Sequence, residues 1–384
     1  MIYFDNGSTS YPKAPGVGEA MANLLAHAGF NANRGGYSGA YAVEDMVLDT
    51  RELVCRLFHW DDPKGVIFTA NVTQSLNMLL KGYLAPGDHV VVSSLEHNAV
   101  MRPLTQLVKH GVAFDAAQAD AAGVLPVERV EALLRPQTKL VALTHASNVC
   151  GTVLPICEVG ALCKKRGVRF VVDSAQTAGV LPIDLQALGA DALAFTGHKG
   201  LLGPQGIGGM VIAEDFAQAL TPLLSGGTGS ASDSEEVPPF LPDKFESGTL
   251  NLPGIAGLRA ALGYVLSAGT ATLHSAEMAL AARFLQGAET LSGVRIVGKK
   301  DTQGRVAVVS LDFTPASLDN AMVAYKLDSE YGIMTRCGLH CAPRAHKTLG
   351  TFPQGTIRFA FGHRNTAQEV DICIDALTKI IREG

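Results

Sequence analysis

Between about residues 64 and 213, short apolar runs alternate with stretches that have the polarity pattern of amphipathic helices. The runs are apolar nearly throughout, which is typical of strands buried on both faces. Strands joined by helices favour an α/β fold with a mostly parallel central sheet and helices on both faces. The predicted strands are Val66–Thr69, His89–Ser94, Lys139–His145, Val168–Asp173, Ala192–Thr196 and Gly208–Ala213, and the predicted helices are Thr73–Leu84, Asn98–His110, Val127–Leu134 and Ile156–Arg166.

The pattern changes at residues 225–253, a segment rich in Gly, Ser and Pro that indicates a long functional loop or a domain boundary. Beyond it we predict a smaller α+β domain. With 384 residues, of which 47% are hydrophobic and 17% charged, the chain can form a large core, and disorder is not expected. The elements predicted here are a long helix over Ile255–Leu291, strand Arg305–Phe313, helix Leu318–Tyr331, strands Ile333–Arg336 and Thr356–Phe361, and helix Thr366–Arg382.

Charge and cysteine usage exclude several classes of protein. The net charge is −5 and no cluster of Lys and Arg indicates a nucleic-acid surface. No apolar run approaches the ~18 residues that cross a membrane, and the first residues lack the pattern of a secretory signal, so we expect a cytoplasmic protein. The seven cysteines are scattered and odd in number, which argues against a disulfide framework, and no pair has zinc-site spacing, so no metal is expected.

Two polar residues follow neighbouring predicted strands. Lys199 lies in the glycine-rich segment FTGHKGLLGPQGIGG, and Asp173 ends the strand of VVDSAQTAG. An enclosed lysine is costly to keep charged, and a lysine that loses its proton suits Schiff-base chemistry. An aspartate at the carboxyl end of a strand can pair with the protonated pyridine nitrogen of a cofactor. Alone, Lys199 is also consistent with a surface turn and Asp173 with a helix cap, but together they favour a cofactor site.

A third segment, TANVTQSLN at residues 69–77, predicts a strand, a turn and a helix that begins at about Thr73. The free N–H groups and the dipole of a helix N-terminus bind phosphate, and a threonine hydroxyl adds a donor. Simple capping of the helix by Asn71 or Thr73 explains the same residues, and both interpretations can hold.

Several motifs together resemble one family. THASNVCGT, VVDSAQTAG, FTGHKGLLGPQGIGG and SSLEHNAV are similar to motifs of the class V aminotransferases, which are fold-type-I enzymes that use pyridoxal phosphate (PLP). The segment RCGLHCAP at residues 336–343 resembles the cysteine desulfurase and selenocysteine lyase branch, specifically its SufS-like group. The resemblance covers nearly the whole chain in the expected order. It implies a large PLP-binding domain over residues 15–255 and a small domain formed by residues 1–14 and 256–384.

The resemblance implies a role for each matching residue around the cofactor. Lys199 would carry PLP as a Schiff base and move the substrate's α-proton, and His97 would stack on the ring and help proton transfer. Asp173 would pair with the ring nitrogen, while Gln176 and Asn148 would lie near the ring hydroxyl. The phosphate would be bound by Val72, Thr73, Thr196 and His198.

The substrate and subunit contacts are implied in the same way. Arg358, in GTIRFAFG, would bind the substrate carboxylate, and guanidinium–carboxylate pairing suits that task. Asn148 would lie beside the substrate, and Asn6 and Arg34 belong to segments that resemble the entrance of the site. Thr249, in FESGTLN, matches a threonine that reaches the phosphate in the other subunit, so a homodimer is implied.

Cys341 matches the nucleophile of the branch. It would take sulfur from PLP-bound L-cysteine as a persulfide, leave L-alanine, and pass the sulfur to an acceptor protein. This reaction needs a thiolate, for which Arg336 and His340 could supply positive charge. Cys341 could otherwise be a small core residue. Cys337 stands where the SufS-like pattern has threonine, so it is either neutral or a second redox-active thiol.

Other functions remain open on the sequence. A selenocysteine lyase could use the same scaffold, with L-selenocysteine as its substrate. An aminotransferase or lyase of the same family would not need Cys341. A protein that keeps PLP only for stability, or a partner-binding subunit, is less consistent with the joint presence of Lys199, Asp173, His97 and Arg358.

Overall fold

A computed structural model describes residues 1–32 and 35–383. Its strands are β1 Ile2–Tyr3, β2 Val66–Thr69, β3 His89–Ser93, β4 Ala113–Ala117, β5 Thr138–Thr144, β6 Arg169–Asp173, β7 Ala192–Thr196, β8 Gly208–Ile212, β9 Arg295–Val297, β10 Val308–Asp312, β11 Ile333–Met334, β12 Arg336–Gly338 and β13 Thr356–Ala360. Its helices are α1 Val17–His27, α2 Ser38–Phe58, α3 Val72–Tyr83, α4 Asn98–Val108, α5 Val127–Glu131, α6 Ile156–Arg166, α7 Leu185–Leu188, α8 Glu214–Ala219, α9 Leu252–Ala268, α10 Thr270–Glu289, α11 Asn320–Tyr331, α12 Pro343–Thr348 and α13 Ala367–Glu383.

The central sheet has seven strands in the order β2-β8-β7-β6-β5-β3-β4. Strands β4, β3, β5, β6 and β7 run parallel, and only β8 pairs antiparallel with its neighbours β7 and β2. Because parallel strands end at the same edge of a sheet, the segments after β3, β5, β6 and β7 meet at one edge. The predicted mostly parallel α/β sheet is therefore confirmed.

Alternate strand residues enter two separate cores, one on each face of the sheet. In β3, Val91 belongs to one core, whereas Val90 and Val92 belong to the other. In β5, Val141 packs with Val91 and Leu140 packs with Val90. Burial on both faces is the reason that these strands are apolar throughout.

A second sheet with the order β12-β13-β10-β9 is antiparallel and lies in the C-terminal part of the chain. The predicted smaller α+β unit is thus present. Strand β1 pairs with β11 in a separate parallel ribbon, and Ala360 donates its backbone N–H to Phe4 O at 2.7 Å. These contacts support the grouping of residues 1–14 with 256–384, although the domain boundaries stay a prediction.

The secondary structure differs from the prediction in several places, of which three are informative. The helix predicted over Ile255–Leu291 is two helices, α9 and α10, which part at Gly269 with a φ of 80°. The strand predicted over Ile333–Arg336 is divided between β11 and β12, which belong to different sheets. Strand β4 was not predicted, because its residues are partly exposed at the sheet edge and lack a continuous apolar run.

No helix within the described ranges is long and apolar enough to cross a membrane.

Candidate active site

Asp173 and Lys199 follow neighbouring strands at the same sheet edge. Asp173 ends β6, and its backbone is in register with Ala194 of β7, which leads through Thr196 to Lys199. Burial lowers the pKa of Lys199 to about 8, with Asp173 opposing the shift and Arg358 adding to it. Burial raises the pKa of Asp173, whereas a hydrogen bond from Ala175 N–H at 2.9 Å and the charge of Lys199 oppose that shift.

His97 lies at the same edge, after β3, and caps α4. Its Nδ1 accepts a hydrogen bond from Ala99 N–H at 3.0 Å, so the neutral ring carries its hydrogen on Nε2. Burial, together with the charges of Lys199, Arg336 and Arg358, lowers the pKa of His97 to about 3. His97 is therefore a neutral imidazole at physiological pH.

Glu96, directly before His97, is fully buried and joins two strand ends. Its carboxyl group accepts from Thr144 N–H, at the end of β5, at 3.0 Å to each oxygen, and from Ser93 Oγ at 2.5 Å. Burial raises the pKa of Glu96 to about 8. Because these bonds fix the turn after β3, Glu96 holds the backbone that carries His97.

The predicted phosphate-binding residues lie at the start of α3 and just before Lys199. Asn71 caps α3 by accepting from Gln74 N–H at 3.1 Å, which leaves the Thr73 side chain exposed rather than used as the cap. Thr196 Oγ1 and His198 Nδ1 are buried without a hydrogen-bond partner among the described residues. Burial lowers the pKa of His198 to about 4. Buried polar atoms without partners are costly, so this cluster is suited to an anionic ligand with several acceptor oxygens.

Cys341 is exposed and belongs to a strained loop between β12 and α12. His340 and Cys341 have φ values of 48° and 58°, in the left-handed region that residues with a side chain rarely adopt. Asn98 N–H, in the first turn of α4, donates to Cys341 O at 2.8 Å, so the loop docks beside His97. Arg336 NH2 donates to Cys341 Sγ at 3.5 Å.

His340 and Cys337 are two other polar residues close to Cys341 in sequence. His340 was predicted as a source of positive charge, but burial lowers its pKa to about 2, with Arg358 adding to the shift, so this prediction is wrong. Cys337 packs partly buried against the core of the C-terminal sheet, and burial raises the pKa of its thiol. That placement favours a packing role for Cys337 over a second reactive thiol.

Arg358 lies on β13 and is 1% exposed, and its guanidinium group is next to the Cys341 loop. Its NH1 donates to Asn148 O at 3.1 Å, and its NH2 donates to Asp5 Oδ1 at 2.8 Å. Its Nε is buried without a partner in the described chain. Asn148 Nδ2 in turn donates to His340 O at 2.7 Å. Arg358 therefore offers one free buried donor next to the Cys341 loop.

Four predicted residues remain, and the structure describes three of them. Thr249 is exposed and lines a surface cavity with Asn31 and Glu246, and it is not among the residues that line the cavity beside Lys199. Asn6 uses its side chain to join the N-terminal segment to Ala360 O at 3.1 Å. Arg34 lies outside the described residues. Gln176 is partly exposed and donates through Nε2 to Gly7 O at 3.1 Å.

A cavity with about 440 Å³ of empty space, part of it open to solvent, adjoins Lys199 and is lined by residues of both the large sheet and the C-terminal unit. Its wall includes Asn6, Gln176, Glu277 and Phe361. Burial raises the pKa of Glu277 to about 8. In the described ranges, no group of three or more His, Cys, Asp or Glu residues could hold a metal ion.

Sequence reasoning missed the contributions of Asp5, Ser8 and Lys13. Asp5 and Ser8 contact arginines that are more than 300 residues away in the chain. Lys13 donates to His198 O at 3.1 Å, and burial lowers its pKa to about 8. The segment around Asn6 resembles the entrance of the site, but its pattern carries no signal for these long-range contacts.

The family model for "Aminotransferase class-V" matches residues 2–373. The chain belongs to this family. Class V enzymes depend on PLP and have the fold-type-I architecture, which confirms the predicted family and fold class.

Class V relatives of similar length carry a common name. A probable cysteine desulfurase of Methanothermobacter thermautotrophicus is 32% identical over 387 residues, which cover 100% of this chain and 95% of the relative. A probable cysteine desulfurase of Pyrococcus abyssi is 32% identical over 389 residues, with 100% and 94% covered. These names favour the desulfurase interpretation over the selenocysteine lyase or an enzyme that does not use Cys341.

Solved structures of class V enzymes are also similar. The apo cysteine desulfurase of Thermococcus onnurineus superposes with a TM-score of 0.93 at 31% identity, covering 100% of this chain and 95% of that chain. The Escherichia coli cysteine desulfurase CsdA superposes with a TM-score of 0.88 at 29% identity, covering 99% and 94%. The relative arrangement of the two sheets is therefore shared with these enzymes.

Proposed function

We propose that this chain is a PLP-dependent cysteine desulfurase that converts L-cysteine to L-alanine and holds the sulfur on Cys341. The observation that carries this proposal is the exposed Cys341 thiol, in contact with Arg336, on a loop that docks beside His97. The names of the full-length relatives support it.

The residues at the sheet edge fit PLP. The first N–H groups of α3, together with the unpartnered Thr196 Oγ1 and His198 Nδ1, would bind its phosphate. Asp173 would pair with the ring nitrogen, and His97, as a neutral ring, would lie against the cofactor face. Gln176 and Asn148 would lie near the ring hydroxyl. Bound PLP would supply an electron sink for negative charge that develops at the substrate's α-carbon.

Lys199 would attach the cofactor and carry the α-proton. A lysine whose pKa is about 8 has a substantial neutral fraction near physiological pH, and only the neutral amine can act as a nucleophile or accept a proton. Its conjugate acid at this pKa can also return a proton readily. Burial therefore prepares Lys199 for both directions of proton transfer.

Arg358 would bind the substrate carboxylate. Its Nε is a buried donor without a partner in the described chain, and a carboxylate oxygen would satisfy it with a charge-assisted hydrogen bond. The Asn148 carbonyl holds the guanidinium from its other end, at 3.1 Å from NH1. Asn148 would thus orient the substrate as well as the cofactor, whereas Asn6 and Arg34 remain predicted entrance residues.

The Cys341 thiolate would attack the sulfur of the substrate. A new S–S bond forms as the bond between the substrate's sulfur and β-carbon breaks, and the electron pair of the broken bond stays with the carbon fragment. Protonation of that fragment completes alanine, and Cys341 is left as a persulfide. The Arg336 guanidinium at 3.5 Å would favour the thiolate by charge.

The persulfide would then pass to an acceptor protein. Cys341 is exposed in the single chain, so a partner thiol can reach it. We also propose a homodimer in which Thr249 completes the phosphate site of the other subunit. The exposed position of Thr249, away from the cavity beside Lys199 in its own chain, supports this arrangement.

The test is to incubate the PLP-loaded protein with L-cysteine and dithiothreitol, and to measure alanine and sulfide. We expect equal amounts of both products from the wild type and a fall of at least ~100-fold in Cys341→Ala, since removal of a nucleophile abolishes the steps that depend on it. Cys157→Ala is the matched control, because Cys157 is an exposed thiol on α6.

Two results would contradict the proposal. Undiminished sulfide release by Cys341→Ala would show that Cys341 is not the nucleophile. Formation of a keto acid in place of alanine would identify an aminotransferase. Parallel assays with L-selenocysteine would show whether selenium removal also requires Cys341.

A further inference from the structure

The hydroxyl of Ser8 joins two arginines of the site. Ser8 Oγ accepts a hydrogen bond from Arg336 NH1 at 2.8 Å and one from Arg358 NH2 at 2.7 Å. It donates to Asp5 Oδ1 at 2.7 Å, and Asp5 Oδ1 also accepts from Arg358 NH2 at 2.8 Å. One hydroxyl therefore uses its hydrogen and both of its lone pairs within the site.

The backbone around Ser8 is fixed against Arg358. Ser8 N–H donates to Asp5 O at 3.0 Å, which closes a turn over residues 5–8. A Cβ atom added to Gly7 would lie 3.1 Å from the guanidinium carbon of Arg358, so this segment packs directly on the guanidinium. The position of the Ser8 hydroxyl is thus set by the turn and by the buried arginine.

The positively charged guanidinium groups of Arg336 and Arg358 lie close together, so they require a group that compensates their repulsion. Arg358 is 1% exposed, and burial lowers its pKa, with the charge of Arg336 lowering it further and Asp5 opposing the shift. Arg336 is only partly buried, so it can turn towards solvent at little cost. Hydrogen bonds that link both guanidinium groups to one hydroxyl, itself bonded to a carboxylate, offset this repulsion.

We propose that Ser8 is a positioning residue that holds Arg336 against Cys341 while Arg358 remains in place for the substrate carboxylate. Arg336 NH1 is bound by Ser8 and Arg336 NH2 reaches Cys341 Sγ, so the two ends of one guanidinium connect the turn to the thiol. This inference rests on the proposed function, because it assigns a means by which the thiolate of Cys341 is stabilised. Loss of the hydroxyl frees Arg336 and weakens that stabilisation.

The first test measures alkylation of the PLP-loaded protein by iodoacetamide at neutral pH without substrate, with each cysteine followed by peptide mass spectrometry. The exposed Cys157 serves as an internal reference, and the buried Cys163 and Cys373 report unfolding. In Ser8→Ala we expect the alkylation rate of Cys341, relative to Cys157, to fall about 3- to 10-fold, since the thiolate is the reactive form. Ser8→Thr, which retains a hydroxyl, should restore most of the rate.

A control removes a hydroxyl from a different surface. Ser329 lies on α11 and its Oγ donates to Tyr325 O at 2.8 Å, so Ser329→Ala should leave the Cys341 rate unchanged. Equal rates for Cys341 in wild type and Ser8→Ala would overturn the proposal. Labelling of Cys163 or Cys373 in Ser8→Ala would also overturn it, because the hydroxyl would then support the fold rather than the arginine.

A second test asks whether Ser8 acts through Arg336. In an Arg336→Gln background, adding Ser8→Ala should change the Cys341 rate less than 2-fold, because the group that Ser8 positions is already absent. Multiplicative effects of the two substitutions would show independent action and would contradict the proposal. The alkylation rates are measured without turnover, whereas the proposed desulfurase activity is judged by the alanine and sulfide that the wild type forms. The two proposals can therefore be refuted independently.

Discussion

Burial lowers the pKa of Lys199 to about 8, which makes a prediction at the scale of one residue. Below pH 8 the amine is mostly protonated, and above it the amine is mostly neutral and able to bond with an aldehyde. We expect the rate of PLP uptake by the apoprotein, followed by visible absorbance, to rise with pH with a midpoint near 8. Lys199→Arg should lack the spectral change. A midpoint near the ordinary value of 10.5 would contradict this prediction.

Glu96 supplies a second prediction, for stability. Its pKa is raised from 4.5 to about 8 in the folded chain, so the folded state holds a proton that the unfolded state has released between these values. Stability that depends on this proton is present below about pH 4.5 and is lost as pH rises through 8. Denaturant unfolding at several pH values should show wild type losing free energy of unfolding relative to Glu96→Gln. A constant difference between the two proteins would be inconsistent with this titration.

The site residues were predictable where the signal is local. Lys199 and Asp173 each follow an apolar strand, and their own segments indicate the edge of a parallel sheet. Ser8 and Arg336 lie far apart in the chain, and the pairing of β1 with β11 and of Phe4 with β13 brings their segments together. A pairing between segments more than 300 residues apart leaves no spacing pattern in a single sequence, so these roles were not predictable.

At the scale of elements, the bounds of buried strands were predicted well, whereas a partly exposed strand at the edge of the sheet was missed. Strands β5, β6 and β7 lie within one or two residues of their predicted bounds because burial on both faces makes each a continuous apolar run. Strand β4, at the sheet edge, has no such run. The break between α9 and α10 was also missed, since a single Gly269 inside a helical pattern is compatible with a continuous helix.

The loop that carries Asn148 packs against β10, and this contact leads to a prediction for stability. Gly151, with a φ of 75°, lies against β10, where an added Cβ would be 2.5 Å from Val308 O. Gly151→Ala combines backbone strain with overlap and should lower the free energy of unfolding by about 2–4 kcal/mol. Gly167→Ala, at a φ of 64° with open space around it, isolates the strain and should cost about 1 kcal/mol. Equal losses in chemical denaturation would show that contact with β10 is unimportant.

At the scale of the whole molecule, the proposed dimer predicts complementation between two damaged chains. Lys199→Ala should be inactive, and Thr249→Ala should bind PLP more weakly because the partner's phosphate site loses a hydroxyl. A mixed dimer contains one site with both groups intact, formed by Lys199 of one chain and Thr249 of the other. Unfolding and refolding the two variants together should therefore restore tighter PLP binding than Thr249→Ala shows alone.

The control for this experiment mixes the Lys199→Ala variant with a double variant that carries both Lys199→Ala and Thr249→Ala. No dimer in this mixture has an intact Lys199. It should show no recovery. If the first mixture gives only the average of its separate components, Thr249 does not serve the site of the other subunit. Light scattering of the wild type measures the dimer independently.

The pairing of residues 2–8 with residues 333–360 has a consequence for synthesis of the chain on the ribosome. Segments that leave the ribosome early find their partners only after β11 and β13 have followed. The large sheet can form before then, because its strands lie between residues 66 and 212. The junction that surrounds Arg358 and Cys341 is consequently among the last parts to assemble, so a truncated nascent chain holds no complete reactive centre.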